Sequence, residues 1–268
     1  NSVGKKFMIA LLKIGGSLIT DKKQRATLRP DILKQLTQEI RYALDEDPSL
    51  KLIIGHGSGS FGHFEANEHQ TIQGVQNYQQ WRGFASVSRI AAELNFHVTT
   101  AFANEGVPIF RIQTSASAIA RNGIIQDMAI HPIIRAVDNK VVPLVYGDVA
   151  FDDAIGGTIV STETIFRYLC SKLPIKRIIL LGEVDGVYDE TRQVISKITA
   201  QNLNSIQSAL KGSDGVDVTG GMLTKVQDML TLANQAPYPD VYILNGKIKS
   251  RVSDMLLGRD VLATHITR

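Results

Sequence analysis

The stretch Leu52-Ile53-Ile54-Gly55-His56-Gly57-Ser58-Gly59-Ser60-Phe61-Gly62-His63 decides how the rest of the chain is read. An apolar run that stops abruptly in glycines is the form a buried parallel strand takes where its backbone meets a ligand at the carboxyl end. Without a Cβ, glycine permits unusual dihedrals and lets an anion approach main-chain N–H groups, whose dipoles favour negative charge. His63 adds a chargeable donor. A tight strand-to-helix turn with one solvated histidine fits the same residues. The choice rests on whether similar punctuation follows other apolar runs.

It does. Phe7 to Leu12 predicts a first strand, followed by Lys13-Ile14-Gly15-Gly16-Ser17 and, a few residues on, Lys22. A lysine directly before paired glycines sets a compact ammonium charge beside exposed backbone donors. Pro30, then Ile32, Leu33, Leu36, Ile40 and Leu44, predicts an amphipathic helix ending before Pro48. It returns the chain to the strand Lys51–Ile54 and completes a right-handed βαβ unit. Val75 to Glu105 has helical spacing, with Trp81, Phe84, Val87, Ile90, Ala91 and Leu94 on one face. Core packing accounts for most of these; beside a glycine loop, Trp81, Phe84 and Val87 would wall an apolar pocket.

A strand at Val107–Ile112, a polar loop holding Ser115 and Ser117, a short helix Met128–Ala136 and a strand Val141–Val145 follow. That strand ends in Tyr146-Gly147-Asp148, where a carboxylate orients lysines, holds metal or caps a turn. Phe151 to Val160, with Asp152, Asp153, Gly156 and Gly157, reads as a hairpin, and Ser161-Thr162-Glu163 as the start of a helix reaching Cys170. The second half repeats the grammar. Arg177–Leu181 is a buried strand, and the loop beyond it carries Glu183, Asp185 and Tyr188 at a place where a nucleotide could sit. Asp217-Val218-Thr219-Gly220-Gly221-Met222-Leu223-Thr224-Lys225 opens a helix, and strands at Val241–Leu244 and Thr264–Ile266 flank a short helical piece from Arg251 to Leu257.

Such alternation predicts an α/β fold, an open and mainly parallel central sheet with helices on both faces and two lobes sharing it, at residues 1–174 and 175–268. A chain of 268 residues with 44% hydrophobic content has ample core for this. Its 29 basic and 26 acidic residues are interspersed for a net charge of +3, giving no basic stripe for nucleic acid. Asn1 to Lys6 is short and polar, no apolar run reaches membrane-spanning length, and the single Cys170 allows no internal disulfide, so we expect a soluble cytoplasmic protein. No Walker A sequence is present and no dinucleotide fingerprint follows the first strand, yet Lys13, Lys22 and Lys225 all lie beside glycine-rich loops, which suits phosphoryl transfer.

Taken together, Lys13-Ile14-Gly15-Gly16-Ser17, the Gly-Ser-Phe-Gly-His at 59 to 63, Gly147-Asp148-Val149, Val184-Asp185-Gly186-Val187 and Asp217 to Met222 resemble the amino acid kinase superfamily. Within it the chain looks most like the isopentenyl phosphate kinases, from Leu11 to about Arg268. The resemblance implies transfer of the ATP γ-phosphoryl group to isopentenyl phosphate in an alternative mevalonate route, with Mg²⁺ carried on the nucleotide and a homodimer as the assembly. It implies that Lys13 and the Gly15-Gly16 amides hold the transferring phosphoryl, Lys22 stabilises the transition state, Lys225 grips the nucleotide phosphates and His63 holds the acceptor phosphate. Glu163 and Asp148 would organise the lysines. Gly57, Ser58, Gly62, Gly156 and Phe84 would face the acceptor, and Ser17, Gly59, Glu183, Asp185, Tyr188 and Gly221 the nucleotide. The N-terminal lobe would then hold the acceptor and the C-terminal lobe ATP. Two departures stand out: the family's triple glycine reads Gly57-Ser58-Gly59 here, and its Ser-Gly-Asp reads Ser161-Thr162-Glu163, with the carboxylate one methylene further out. A fosfomycin-type kinase shares the histidine-ended loop but calls for a more polar pocket, and a nucleotide sensor without turnover would keep the fold.

Overall fold

The computed structural model describes residues 9–212 and 221–268. Asn1 to Met8 and the Asp217–Gly220 part of the expected helix opening lie outside the described residues.

The first apolar run forms β1 (Ile9–Ile14), buried throughout except at half-buried Lys13. A single helical turn, α1 (Gly16–Ile19), leads to α2 (Pro30–Glu46), whose proline occupies the first turn, where a missing N–H costs nothing. β2 (Lys51–His56) delivers the decisive glycine loop to α3 (Gly59–His69). The long α4 (Tyr78–Asn104) opens on a capping box between Asn77 and Gln80. There follow β3 (Ile109–Arg111), the turn α5 (Thr114–Ser117), β4 (Ala118–Arg121), β5 (Ile124–Met128), α6 (His131–Asp138), β6 (Val142–Tyr146), β7 (Asp148–Asp152), β8 (Gly156–Val160) and α7 (Thr162–Lys172). The second half contributes β9 (Ile175–Gly182), β10 (Lys197–Ile198), α8 (Leu203–Gly212), α9 (Gly221–Ala233), β11 (Asp240–Asn245), α10 (Arg251–Leu256) and β12 (Thr264–Ile266).

Among the described residues the main sheet runs β10-β12-β11-β9-β1-β2-β6-β3, parallel throughout except between β11 and β12. Because β9 pairs with β1, strands from before and after residue 175 share this one sheet. Alternate residues of β1 face opposite sides. Leu11 joins a core with Ile53, Phe166, Ile178 and Val226, and Leu12 joins another with Leu36, Ile54, Leu94 and Val252. The sheet is therefore covered by α7 and α9 on one face and by α2, α4 and α10 on the other. Cys170 lies buried in the first of these cores. No helix among the described residues is long and apolar enough to cross a membrane.

The segment from 115 to 136 departs from the sequence expectation. Ser115 and Ser117 fall in α5 rather than a loop, Met128 ends a strand, and the helix begins at His131. The reason is a β4–β5 hairpin turning at Asn122-Gly123, both residues with positive φ (50° and 76°), as a tight two-residue turn requires. The carboxylate of Asp152 accepts the N–H groups of Asn122 and Gly123 at 3.0 and 2.8 Å, and those of Ala154 and Ile155 at 2.9 and 3.1 Å. It thereby ties this hairpin to the β7–β8 corner in a second sheet, ordered β5-β4-β7-β8.

Candidate active site

The loops after β1, β2, β6 and β9 meet at the carboxyl edge of the main sheet. Gly15 N–H donates to the Leu181 carbonyl at 2.9 Å and Gly57 N–H to the Ile14 carbonyl at 3.0 Å, so the loop after β1 is stitched to both neighbours. Gly16 and Gly59 then touch backbone to backbone. A Cβ on Gly16 would stand 2.2 Å from Gly59 N, and one on Gly59, where φ is +49°, would stand 2.1 Å from Thr20 Oγ1 and 2.6 Å from the Gly16 carbonyl oxygen. Only glycine at both positions permits this approach.

Between these loops and the starts of α7 and α9 lies a cleft of about 660 Å³. Its walls bring together Lys13, Gly15, Gly16, Ser17, Lys22, Gly57, Ser58, Gly59, Gly62, His63, Asp148, Glu163 and Lys225 from the sequence-predicted set. Residues at the amino ends of α3, α7 and α9, Gly59, Thr162 and Met222 among them, line it, and a positive helix dipole end suits phosphate. At α7 the Ser161 hydroxyl caps the Thr164 N–H at 3.1 Å, fixing the turn that carries Glu163.

Glu163 and Lys13 form an ion pair. Burial alone would raise the Glu163 carboxyl, but the charge and hydrogen bond of Lys13, with a contribution from Lys225, hold it below the usual carboxylate range. His63 is pushed below the usual imidazole range by burial first, then by the charges of Lys22 and Lys13. Asp148 opens β7 and serves another purpose. Its carboxylate accepts the Ser115 and Val149 N–H groups at 3.2 and 2.8 Å, and burial nevertheless leaves its pKa raised. Thus Glu163 holds the lysine, while Asp148 holds backbone.

The remaining predicted residues stand outside the cleft walls. Glu183 is bound by Arg29 at 2.6 Å and Lys247 at 2.5 Å, with Lys22 at 3.8 Å; burial raises its carboxyl, and the Lys247 and Arg29 contacts outweigh that and lower it. Asp185 pairs with Arg251 at 2.5 Å and accepts from the Tyr188 hydroxyl at 3.3 Å, so cations from α10 and the turn before it fix the loop after β9. Gly221 is the first residue of α9. Gly156, with φ +79°, sits in the β7–β8 turn, where a Cβ would stand 2.0 Å from the Val75 carbonyl oxygen. The expected aromatic wall is divided. Phe84 packs edge-on to Trp81 at 5.2 Å and beside Phe151, and these rings border a separate surface depression. Of Trp81, Phe84 and Val87, it is Val87 that reaches the cleft, which it lines together with Ile72, Ala91 and Ile159.

Sequence reasoning passed over His56 and Asn95. Both are 1% exposed, and the His56 ring lies parallel to that of Tyr146 at 5.5 Å. Nδ1 of His56 faces the Gly57 carbonyl oxygen and Nε2 faces the Asn95 amide, each at 3.0 Å. A signal existed in the sequence. Asn95 occupies the i+4 position of the apolar stripe Ala91, Leu94, Val98 and Phe102, and a polar residue on a buried stripe demands a buried partner.

The amino acid kinase family profile matches residues 8–245. The chain is 34% identical to the isopentenyl phosphate kinase of Methanothermobacter thermautotrophicus over 96% of its own length and 98% of that protein's. It is 30% identical to the isopentenyl phosphate kinase of Methanocaldococcus jannaschii over 94% and 96%. An X-ray structure of an isopentenyl phosphate kinase superposes with a TM-score of 0.82 at 29% identity, covering 97% of this chain and all of that one.

Proposed function

This chain belongs to the amino acid kinase family, and we propose from that premise that it transfers the γ-phosphoryl group of ATP to isopentenyl phosphate, giving isopentenyl diphosphate and ADP. The observation that carries the reading is the lining of the cleft, in which Lys13, Lys22, His63, Lys225 and two glycine loops share the walls with apolar side chains, Ile72, Val87, Ala91 and Ile159 among them. A phosphate joined to a short hydrocarbon tail matches that polarity; a small polar phosphonate does not.

In this reading an oxygen of the acceptor phosphate attacks the γ-phosphorus in line, and the bond from that phosphorus to the β-bridging oxygen breaks as ADP departs. No general base is required, because a phosphate monoester with a second pKa of about 6 is largely ionised near neutral pH. Catalysis then consists of pressing two anions together and spreading charge. Lys13 and the Gly16 N–H hold the transferring group, the Gly15 N–H being taken by the Leu181 carbonyl; Lys22 follows it into the transition state, Lys225 grips the nucleotide and His63 the acceptor. The lobe of residues 1–174 supplies the acceptor end and that of 175–268 the nucleotide end. Among the described residues no group of three or more His, Cys, Asp or Glu side chains could hold a metal ion. Mg²⁺ carried on the ATP phosphates would neutralise part of their charge. A cytoplasmic homodimer completes the proposal.

The test is ADP release by the purified protein with Mg²⁺ and ATP, offering isopentenyl phosphate, dimethylallyl phosphate, fosfomycin or no acceptor. Preferred turnover of isopentenyl phosphate is the expected result. Turnover of fosfomycin alone, or of nothing, overturns it.

A further inference from the structure

The imidazole of His56 makes contacts that define its proton. The Gly57 carbonyl oxygen, 3.0 Å from Nδ1, can only accept, so the proton resides on Nδ1. Nε2 is then a bare lone pair, and Asn95, 3.0 Å away, must turn its NH₂ toward it. Each assignment enforces the other, and the flat stack on Tyr146 fixes the ring plane. The backbone of the same residue joins the other rims of the cleft: its carbonyl accepts the Thr162 hydroxyl at 2.6 Å, beside Glu163, and the Gly147 N–H at 3.3 Å, beside Asp148.

The held carbonyl belongs to a planar trans peptide whose N–H, that of Ser58, points the opposite way. Gly57 and Ser58 both border the cleft, and with no Cβ at Gly57 the ψ of that residue does little to fix the plane of the peptide between them. Buried side chains that lock such a plane set the direction of the donors a phosphate meets.

We propose that His56 is a positioning residue for phosphoryl transfer: as its Nδ1–H tautomer, oriented by Asn95 and Tyr146, it clamps the Gly57 carbonyl and thereby aims the Gly57–Ser58 peptide of the phosphate loop. This rests on the kinase reading above for its kinetic consequence, and on geometry alone for the clamp itself. Burial holds the imidazole at a pKa of about 4, so the clamp keeps one charge state at neutral pH.

Two conservative variants separate clamp from packing. The amide of His56→Asn falls where Nδ1 stood and can still donate to Gly57; that of His56→Gln falls where Nε2 stood and cannot. His56→Asn is expected to keep most of kcat/KM for isopentenyl phosphate. His56→Gln is expected to lose roughly ten- to a hundredfold, the scale of a catalytic group misplaced by about an ångström. That loss should fall in kcat and in KM for the acceptor, with KM for ATP within about twofold, whereas a mere loss of folded protein would lower kcat alone. Imidazole ¹⁵N spectra at neutral pH read the clamp without substrate, and a proton on Nδ1 is expected in the wild type. A proton on Nε2, or a Gln variant as active as the Asn variant, overturns the proposal. Should the wild type turn over no acceptor, the kinase reading fails while the ¹⁵N spectrum still decides the clamp.

Discussion

Lys13 and Glu163, 150 residues apart in the chain, form an ion pair at the edge of the cleft. The pair joins the penultimate residue of β1 to the first turn of α7. Removing the carboxylate charge leaves a half-buried ammonium free to reorient. Glu163→Gln is expected to lower kcat by roughly ten- to a hundredfold through misplacement of Lys13. Glu163→Asp keeps the charge one methylene shorter and should fall between the two. Steady-state rates at saturating ATP distinguish these outcomes, and equal rates for Gln and wild type would refute the role.

The contact between Gly16 and Gly59 leaves no room for a methyl group. Gly16→Ala and Gly59→Ala are each expected to reduce kcat/KM by about a hundredfold or more, since the loops must part by over an ångström. Gly123→Ala is the control. Its φ of +76° carries the backbone strain, but nothing lies within 4 Å of the added carbon. It should cost about 1 kcal/mol of stability and leave the kinetics intact.

Ile72 lines the cleft while remaining 65% exposed, so its substitution puts little folding energy at risk. Ile72→Asn is expected to raise KM for isopentenyl phosphate by roughly three- to tenfold, the scale of one or two methylenes losing an apolar partner. KM for ATP should stay where it is. An unchanged acceptor KM would show that the hydrocarbon tail lies elsewhere.

The buried His56 couples folding to acidity. Its folded pKa of about 4 lies below the value near 6.5 of an exposed imidazole, so the unfolded chain takes up this proton first as pH falls. Stability contributed by the neutral ring is therefore present above pH 6.5 and is lost as pH drops toward 4, by about 3 kcal/mol in all. Urea unfolding at pH 7.5, 6, 5 and 4.5 should show wild type and His56→Asn drawing together across that window. Parallel curves would place the loss on other groups.

Much of this architecture could be read from the sequence because buried parallel strands and glycine punctuation are local signals. The runs ending at Leu12, Ile54 and Leu181 announce β1, β2 and β9, and the loops beyond them announce the cleft. The β4–β5 hairpin was overlooked although Asn122-Gly123 marks its turn, because its short strands alternate with only weak apolar contrast. The aromatic wall failed for a different reason. Helical spacing places Trp81, Phe84 and Val87 on one side of α4, but β7 and its Phe151 intervene, and which of them meets open space is decided by tertiary packing. The preference of Glu163 over Asp148 for Lys13 was likewise invisible, since it depends on where two carboxylates 15 residues apart in sequence finally point.

Cys170 gives the protein a practical property. It is the chain's one cysteine, and burial pushes its thiol up to about 12. At neutral pH it would carry roughly a thousandfold less thiolate than an ordinary exposed cysteine. The wild-type chain thus offers a chemically silent background for maleimide labelling. A single cysteine introduced at exposed Lys23, beside Lys22, would take a fluorophore at that site alone. The approach of the α1–α2 loop to the nucleotide could then be followed by energy transfer, without first removing any native residue.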